Sequence, residues 1–209
     1  MHPYSTDSSE RKWIPLFILL GSVPFAMGLK IFWESLHFNG VLGDFYYITS
    51  FFIDFSIIFF YELFYYLFDN TLWKYCHFIP SMKVPNLNGN WKGTLKSSYN
   101  DQGTEDRVQI NATMQISQTW QKIEIRLKTD NSKSKTVTAG FFTNNPNAIE
   151  LSYQYQNEPN ANAEINTMHI HKGTGWITLA PDTKSFEGEY YNGRDSKNHG
   201  CLKFNKVEC

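Results

Sequence analysis

The side chains of this chain best suited to chemistry are aromatic rings interleaved with a few cations in its second half. The segment YYNGRDSKNHG (residues 190–200) is a polar, glycine-rich loop that places one arginine beside two tyrosines. Aromatic rings stack on flat bases, and arginine makes bidentate contacts to phosphate. This pattern predicts a pocket for a flat, anionic ligand. We expect its contacts to be Arg194, Tyr190, Tyr153, Tyr155, His169 and Trp176.

Motifs for catalysis are missing from the sequence. His169 and His171 alternate on one predicted strand face, but no third residue completes a zinc spacing. No nucleophile elbow, P-loop or dinucleotide turn occurs, and the glycines of GTG (residues 173–175) predict a β-bulge. The formal net charge of −1 argues against a protein that coats DNA or RNA. We therefore predict a binding protein and not an enzyme, with no cofactor and no metal.

The second half, residues 84–209, alternates polar and apolar residues in the manner of β-strands. Pro80, Pro85 and the cluster NLNGN mark its boundary with residues 1–83. Eight strands with short connections predict a compact up-and-down β-barrel, with a sandwich as the alternative. Trp91 is predicted to close one end of the barrel. The strands are expected near residues 90–98, 107–117, 121–128, 135–143, 148–156, 164–180, 185–191 and 201–206.

The first half contains two apolar stretches that predict a transmembrane α-hairpin, with spans at about 13–31 and 46–68. A signal peptide is the alternative for the first stretch, and a soluble amphipathic core helix for the second. Lys and Arg residues flank the pair on its outer ends, which places both termini in the cytoplasm. Three cysteines without framework spacing agree with a reducing compartment.

Two carboxylates interrupt the second stretch. Asp54 and Glu62 are eight residues apart, so they share one broad helix face. Acidic groups at membrane depth are costly and normally face protein or water. We predict that they serve the membrane function; burial against the neighbouring helix of the same chain is the alternative.

Two resemblances follow from these features. Gly89-Asn90-Trp91 matches the G-x-W of lipocalins, in which the tryptophan closes the barrel base. The fuller match covers nearly the whole chain: two spans, a proline-containing linker, a first strand NLNGNWKGTL and a penultimate strand FEGEYYNGR. The chain thereby resembles the two-transmembrane, β-strand-rich effectors that accompany bacterial cGAS/DncV-like nucleotidyltransferases in cyclic-oligonucleotide anti-phage signalling (CBASS).

This resemblance implies a lipocalin-like, eight-stranded barrel that receives a cyclic dinucleotide made by the partner nucleotidyltransferase. It further implies that the chain is a multi-pass protein of the inner membrane, whose spans form a homo-oligomer and disrupt the bilayer of the infected cell. Two other interpretations remain open from the residues: a membrane-anchored lipocalin-like carrier of a small apolar ligand, and a purely structural tether. A polar pocket favours the first interpretation, and a continuous apolar lumen favours the carrier.

Overall fold

The computed structural model describes residues 1–38, 56–78, 82–98, 108–145, 148–161, 169–193 and 198–207. They form two compact units. One comprises Ser9–Met82, and the other combines Met1–Ser8 with Lys83–Cys209. The first eight residues thus lie with the β-strands, although the sequence predicted them as part of the membrane region.

The helical unit contains α1 (Glu10–Phe38), α2 (Ser56–Asn70) and a 3₁₀ helix (Leu72–Phe78). Among the described residues, one helix is long and apolar enough to cross a membrane: Glu10–His37, in which an 18-residue window has a mean hydropathy of 1.9. It contains the first predicted span. Residues 46–55 of the second predicted span lie outside the described residues, and α2 covers the remainder.

Helices α1 and α2 pack through phenylalanine rings. Phe25 of α1 meets Phe64 of α2 edge to face, with ring centroids 5.0 Å apart, and also contacts Phe60 at 6.0 Å. Pro15 and Pro24 lie inside α1. Most of the large apolar side chains of α1 are exposed, as expected for a helix that faces lipid.

In the part of the chain that the structure describes, the second unit is a closed barrel of nine strands. Strands β2 to β9 pair in sequence order, each antiparallel to the next, and β9 returns to β2. This confirms the predicted up-and-down barrel. The strands are β1 (His2–Thr6), β2 (Gly89–Ser97), β3 (Val108–Gln118), β4 (Lys122–Lys128), β5 (Ser132–Phe142), β6 (Glu150–Pro159), β7 (His171–Leu179), β8 (Ser185–Asn192) and β9 (His199–Lys206).

The ninth strand, β1, is an addition that the sequence did not predict. Strands β4 and β5 pair only next to their connecting turn, from Arg126–Lys135 to Lys128–Lys133. Beyond that point β1 lies between them, antiparallel to β4 and parallel to β5. Without β1, both strands would present unpaired backbone groups along this seam.

Both chain connections to residues 9–82 leave the barrel at the same place. Asp7, just after β1, accepts hydrogen bonds from the backbone N–H groups of Thr143 (2.8 Å) and Asn144 (3.1 Å). Lys83, just before β2, donates from Nζ to Oδ1 of Asn144 (3.0 Å). Residues 9–82 are therefore an insertion between the first two strands of one barrel.

Candidate ligand-binding site

The two ends of the barrel differ in how their interiors are filled. At the end where β2 begins, Trp91 is fully buried, and its Nε1 donates to the carbonyl of Leu87 at 3.1 Å. The ring packs on Phe186 with centroids 4.8 Å apart, and Phe186 stacks on Phe204 at 5.4 Å. The end is closed by apolar packing, with Trp91 in the place that the sequence predicted.

A buried glutamine holds the linker segment across this closed end. Gln118 accepts a hydrogen bond from the N–H of Leu87 (2.9 Å) and donates from Nε2 to the carbonyl of Pro85 (3.1 Å). These bonds satisfy backbone groups that a linker inside a barrel would otherwise leave unpaired. The segment before β2 therefore fills this end of the barrel.

At the opposite end the inner wall carries tyrosines paired with glycines. Each tyrosine lies directly across the strand pair from a glycine, and its ring covers the position that a Cβ would occupy. The closest approach from a built Cβ to the tyrosine is 2.4 Å at two of the pairs and 2.7 Å at the third. The pairs are Tyr153–Gly175, Tyr155–Gly173 and Tyr190–Gly200.

The glycines of GTG thus have a different role from the one expected. The β6–β7 pairing runs through Gly173 and Gly175 without a register shift, so the predicted bulge is wrong there. The shift in this part of the barrel lies in β5, between Thr136 and Thr138. The glycines instead leave room for tyrosine rings to lie along the wall, because any Cβ at these positions would collide with them.

Polar side chains meet two of the tyrosine hydroxyls, although the rings themselves pack on the apolar core. The hydroxyl of Tyr155 donates to Oδ1 of Asn192 at 2.6 Å. The hydroxyl of Tyr153, in contrast, has no hydrogen-bond partner within the described part of the chain. Small polar side chains face the same space, including Ser97 and Asn157, which are both buried. The arrangement offers hydrogen-bond donors and ring faces to a ligand.

Burial keeps these phenols neutral. Desolvation raises the pKa of Tyr153 and of Tyr155 far above the ordinary value of 10.0, and the neighbouring phenols add to the rise at Tyr155. Desolvation also raises the pKa of Tyr190, although a hydrogen bond with Ser97 partly opposes it. At neutral pH all three phenols therefore keep their protons. The O–H of Tyr155 is already donated to Asn192, so the O–H of Tyr153, which has no partner among the described residues, is the one left to donate to an anionic group.

The other predicted contact residues are distributed differently. His169 is exposed just before β7, at the open end, and its carbonyl accepts a hydrogen bond from Nδ1 of His171 at 2.9 Å. Arg194 lies outside the described residues, in the β8–β9 connection, which leaves from the open end.

Trp176 lies on the outer face of the barrel. Its neighbours Gly175 and Ile177 face inward, and strand alternation turns the indole outward, where it is 41% exposed. It therefore does not line the space that the tyrosines share. Sequence reasoning missed Asn192 and the three glycines, because their role depends on cross-strand register.

The described residues contain no group of three His, Cys, Asp or Glu side chains that could hold a metal ion. In the membrane region, Glu62 is exposed on α2, outside the packing with α1. Asp54, its predicted partner, lies outside the described residues.

Comparison with known proteins connects the barrel to a ligand class. A family model described as "Cap15, cyclic dinucleotide receptor domain" matches residues 82–206. A protein of Yersinia aleksiciae named CD-NTase-associated protein 15 is 32% identical over 143 residues, which cover 68% of this chain and 64% of the relative. A protein of the same name from Staphylococcus schleiferi is 24% identical over 141 residues, covering 68% of this chain and 71% of the relative.

Proposed function

The chain belongs to the family of Cap15 cyclic dinucleotide receptor domains, and from this premise we propose that it is a membrane-anchored effector of CBASS anti-phage signalling. In this function the barrel binds a cyclic dinucleotide made by a cGAS/DncV-like nucleotidyltransferase. Binding drives oligomerisation of the membrane spans, which disrupts the inner membrane of the infected cell. The observation that carries the proposal is the tyrosine-lined inner wall at the end of the barrel opposite the apolar plug.

The proposed ligand and the open end have matching chemistry. A cyclic dinucleotide carries two negatively charged phosphates and two flat bases. Its site therefore needs aromatic rings for the bases and uncharged or cationic hydrogen-bond donors for the phosphates. Tyr153, Tyr155 and Tyr190 provide faces along the wall, and stacking on such rings tolerates different bases. The O–H of Tyr153 donates to a phosphate oxygen, and Arg194 in the adjoining connection supplies the proposed bidentate contact. His169 stands at the rim of the same end.

Affinity measurements on the full chain in detergent micelles test the binding step. The titrants are cyclic di-GMP, cyclic di-AMP, cyclic di-UMP and their mixed-base counterparts. Tyr153→Phe keeps the ring and removes one donor to a charged acceptor, so we expect a loss of about 1.5–3 kcal/mol. Val137→Ala is the control, because Val137 is 54% exposed on the outer wall and its loss should leave the affinity unchanged. If titration calorimetry shows no heat with any nucleotide and the chain binds fatty acids tightly, it is instead a carrier of apolar ligands.

The strand order supports a membrane topology with both termini on one side. Because β1 and β2 belong to one barrel, the two ends of residues 9–82 start from the same side of any bilayer. If α1 crosses once, the chain must cross again before Lys83. We propose a multi-pass hairpin in the inner membrane with barrel and termini in the cytoplasm, in agreement with the distribution of Lys and Arg.

Asp54 and Glu62 are proposed to act in the membrane step. Glu62 is exposed on α2, so it is not satisfied by the packing between α1 and α2. A carboxylate at membrane depth is stabilised when it faces protein or water, which oligomerisation of several hairpins would provide. Clustering of the spans would then create a polar seam that perturbs the bilayer.

A further inference from the structure

The outer wall of the barrel is divided into a basic and an acidic side. Strand order places β3 opposite β7. The basic side consists of β3 and the strands around it, namely β9, β2, β4, β1 and β5. Among the described positions of these strands, Glu124 is the one carboxylate that faces outward. The exposed cations of these strands are Lys92, Lys96, Lys122, Arg126, Lys128, Lys133, Lys135 and Lys203. The acidic side consists of β6, β7 and β8. Its outward carboxylates are Glu150, Glu158, Glu187 and Glu189, and its one cation among the described positions is Lys172.

The acidic side has an exposed aromatic cluster at its centre, on β7. The ring of Trp176 stacks on Phe142 with centroids 5.0 Å apart, and its Nε1 donates to Oε2 of Glu150 at 3.2 Å. Glu189 lies directly across the β7–β8 pair from Trp176, and Tyr191 is 52% exposed beside it. We call these five residues the Trp176 face. Large, rigid aromatic side chains of this kind dominate binding energy at protein interfaces.

The opposite wall carries a groove of about 480 Å³. The short polar side chains of Asn111 and Thr113 on β3 line it, with Lys92 on one side and Lys128 on the other. Thr113 lies across from Lys92 in one strand pair and from Lys128 in the next. Asp130 adds one carboxylate at the β4–β5 turn. We call this depression the β3 groove.

We propose that barrels associate head to tail, with the Trp176 face of one copy seated in the β3 groove of the next. The glutamates around the indole then meet Lys92 and Lys128, and the aromatic rings occupy the groove. Such charge complementarity fixes orientation and selects the partner. Because the two surfaces lie on opposite walls, the contact is heterologous and can be repeated from copy to copy.

The contact supplies the oligomerisation step of the proposed function, on which it rests. Each added barrel brings another set of membrane spans into the same row, so association outside the bilayer gathers the helices within it. A contact made of exposed charges weakens with salt, because exposed pairs are screened within about 10 Å at 0.1 M ionic strength.

Two variants that each remove one surface test the proposal. The first, Trp176→Ala/Glu189→Lys, keeps only the β3 groove. The second, Lys92→Glu/Lys128→Glu, keeps only the Trp176 face. Analytical ultracentrifugation of the full chain in micelles, at high protein density with and without the nucleotides above, should show a series of oligomers for wild type. Each variant alone should remain monomeric, and an equimolar mixture should form dimers and no larger species.

A control separates the contact from net charge. Lys96→Glu/Lys122→Glu changes the charge of the same wall equally but outside the groove, so the wild-type series should persist. Oligomers that persist in both surface variants, or a mixture that stays monomeric, would overturn the proposal. The proposal would also be overturned if association required anionic lipid or nucleic acid and were lost only in Lys92→Glu/Lys128→Glu. The β3 groove would then bind a polyanion and not a second barrel.

Calorimetry on the same samples distinguishes this contact from the function it serves. The mixture should dimerise weakly at high density without nucleotide, since both surfaces are already formed, and nucleotide should shift the same equilibrium toward the dimer. If the mixed dimer forms but calorimetry detects no nucleotide binding, the contact between barrels stands and the proposed nucleotide receptor function is refuted. If calorimetry detects nucleotide binding but the mixed dimer does not form, the nucleotide receptor function stands and the proposed contact is refuted.

Discussion

Replacing Tyr4 should open the barrel along the seam between β4 and β5. Tyr4 is the one apolar side chain of β1 that is buried, with 6% of its surface exposed. Its hydroxyl donates to the carbonyl of Trp120 at 2.6 Å, and its ring meets Phe141 edge to face at 5.1 Å. Strand β1 pairs over few residues, and its pairing with β5 is parallel, which is slightly less stable than antiparallel pairing. The attachment of β1 therefore depends strongly on this side chain.

The magnitude follows from burial and the hydrogen bond. Truncating a buried aromatic to alanine costs about 3–5 kcal/mol. The hydroxyl is responsible for part of this loss, because removing it leaves the buried carbonyl of Trp120 unpaired at a cost of about 1–3 kcal/mol. We expect Tyr4→Ala to destabilise β1 by about 4 kcal/mol, which raises the open population roughly a thousandfold. Tyr4→Phe should have a smaller effect, about 1–2 kcal/mol.

Hydrogen exchange followed by mass spectrometry on the full chain in micelles measures this opening. Peptides from β1, β4 and β5 should lose protection in the order wild type, Tyr4→Phe, Tyr4→Ala, whereas peptides from β7 and β8 should change less. Tyr191→Ala is the matched control. Tyr191 is half exposed on the outer wall, so its loss should change stability by no more than about 0.5 kcal/mol.

The result that refutes this reasoning is equal protection of β4 and β5 in all three proteins. It would mean that β1 does not close the seam in solution and that β4 and β5 pair along their full length. A uniform loss of protection across all strands would place Tyr4 in the global core.

The remaining predictions concern the same connections, the ligand and the membrane. At Asp7, desolvation raises the pKa, but hydrogen bonds from Thr143 and Asn144 outweigh it and lower the pKa below its ordinary 3.8. A lowered folded pKa contributes stability that is present above the unfolded pKa and lost as pH falls through the folded value. The end of β1 should therefore loosen only in acid, and this acid sensitivity should vanish in Asp7→Asn when exchange of the β1 and β5 peptides is followed against pH. Arg194→Ala should weaken nucleotide binding by about 1.5–3 kcal/mol with an unchanged melting temperature, and a collapse in melting temperature would make the arginine structural. Replacing Asp54 and Glu62 with leucine should abolish dye entry into cells that make the cognate nucleotide while calorimetry stays unchanged; full dye entry would show that helix packing alone causes the lesion. Cys201 is exposed on the outer wall, so a membrane-impermeant maleimide should label it in inverted inner-membrane vesicles and not in intact cells, with Cys76→Ser/Cys209→Ser as the background; labelling in intact cells would reverse the topology.

The sequence by itself determined the barrel and one helix that is long and apolar enough to cross a membrane. Alternation of apolar residues along β3 and β4 reflects a wall with one dry and one wet face, so period two is visible without any tertiary contact. The run from Trp13 to Leu29 is apolar on all sides because every side of such a helix faces lipid or protein. Trp91 was assigned to the closed end because a barrel of this size needs a large side chain to fill its base.

Only the tertiary structure shows that β1 completes the barrel and which aromatic side chains of the candidate site face the barrel interior. The segment HPYST has one large apolar residue and no alternating pattern, and β1 exists only because β4 and β5 diverge and leave backbone groups to pair. Trp176 and Tyr155 are both aromatic residues of neighbouring strands, yet one faces solvent and the other the interior. Their facing depends on strand register, in which a shift of one residue reverses every side chain. Likewise, Gly173 is informative only once Tyr155 is known to lie across from it, since cross-strand distance is a property of the closed sheet and not of the sequence.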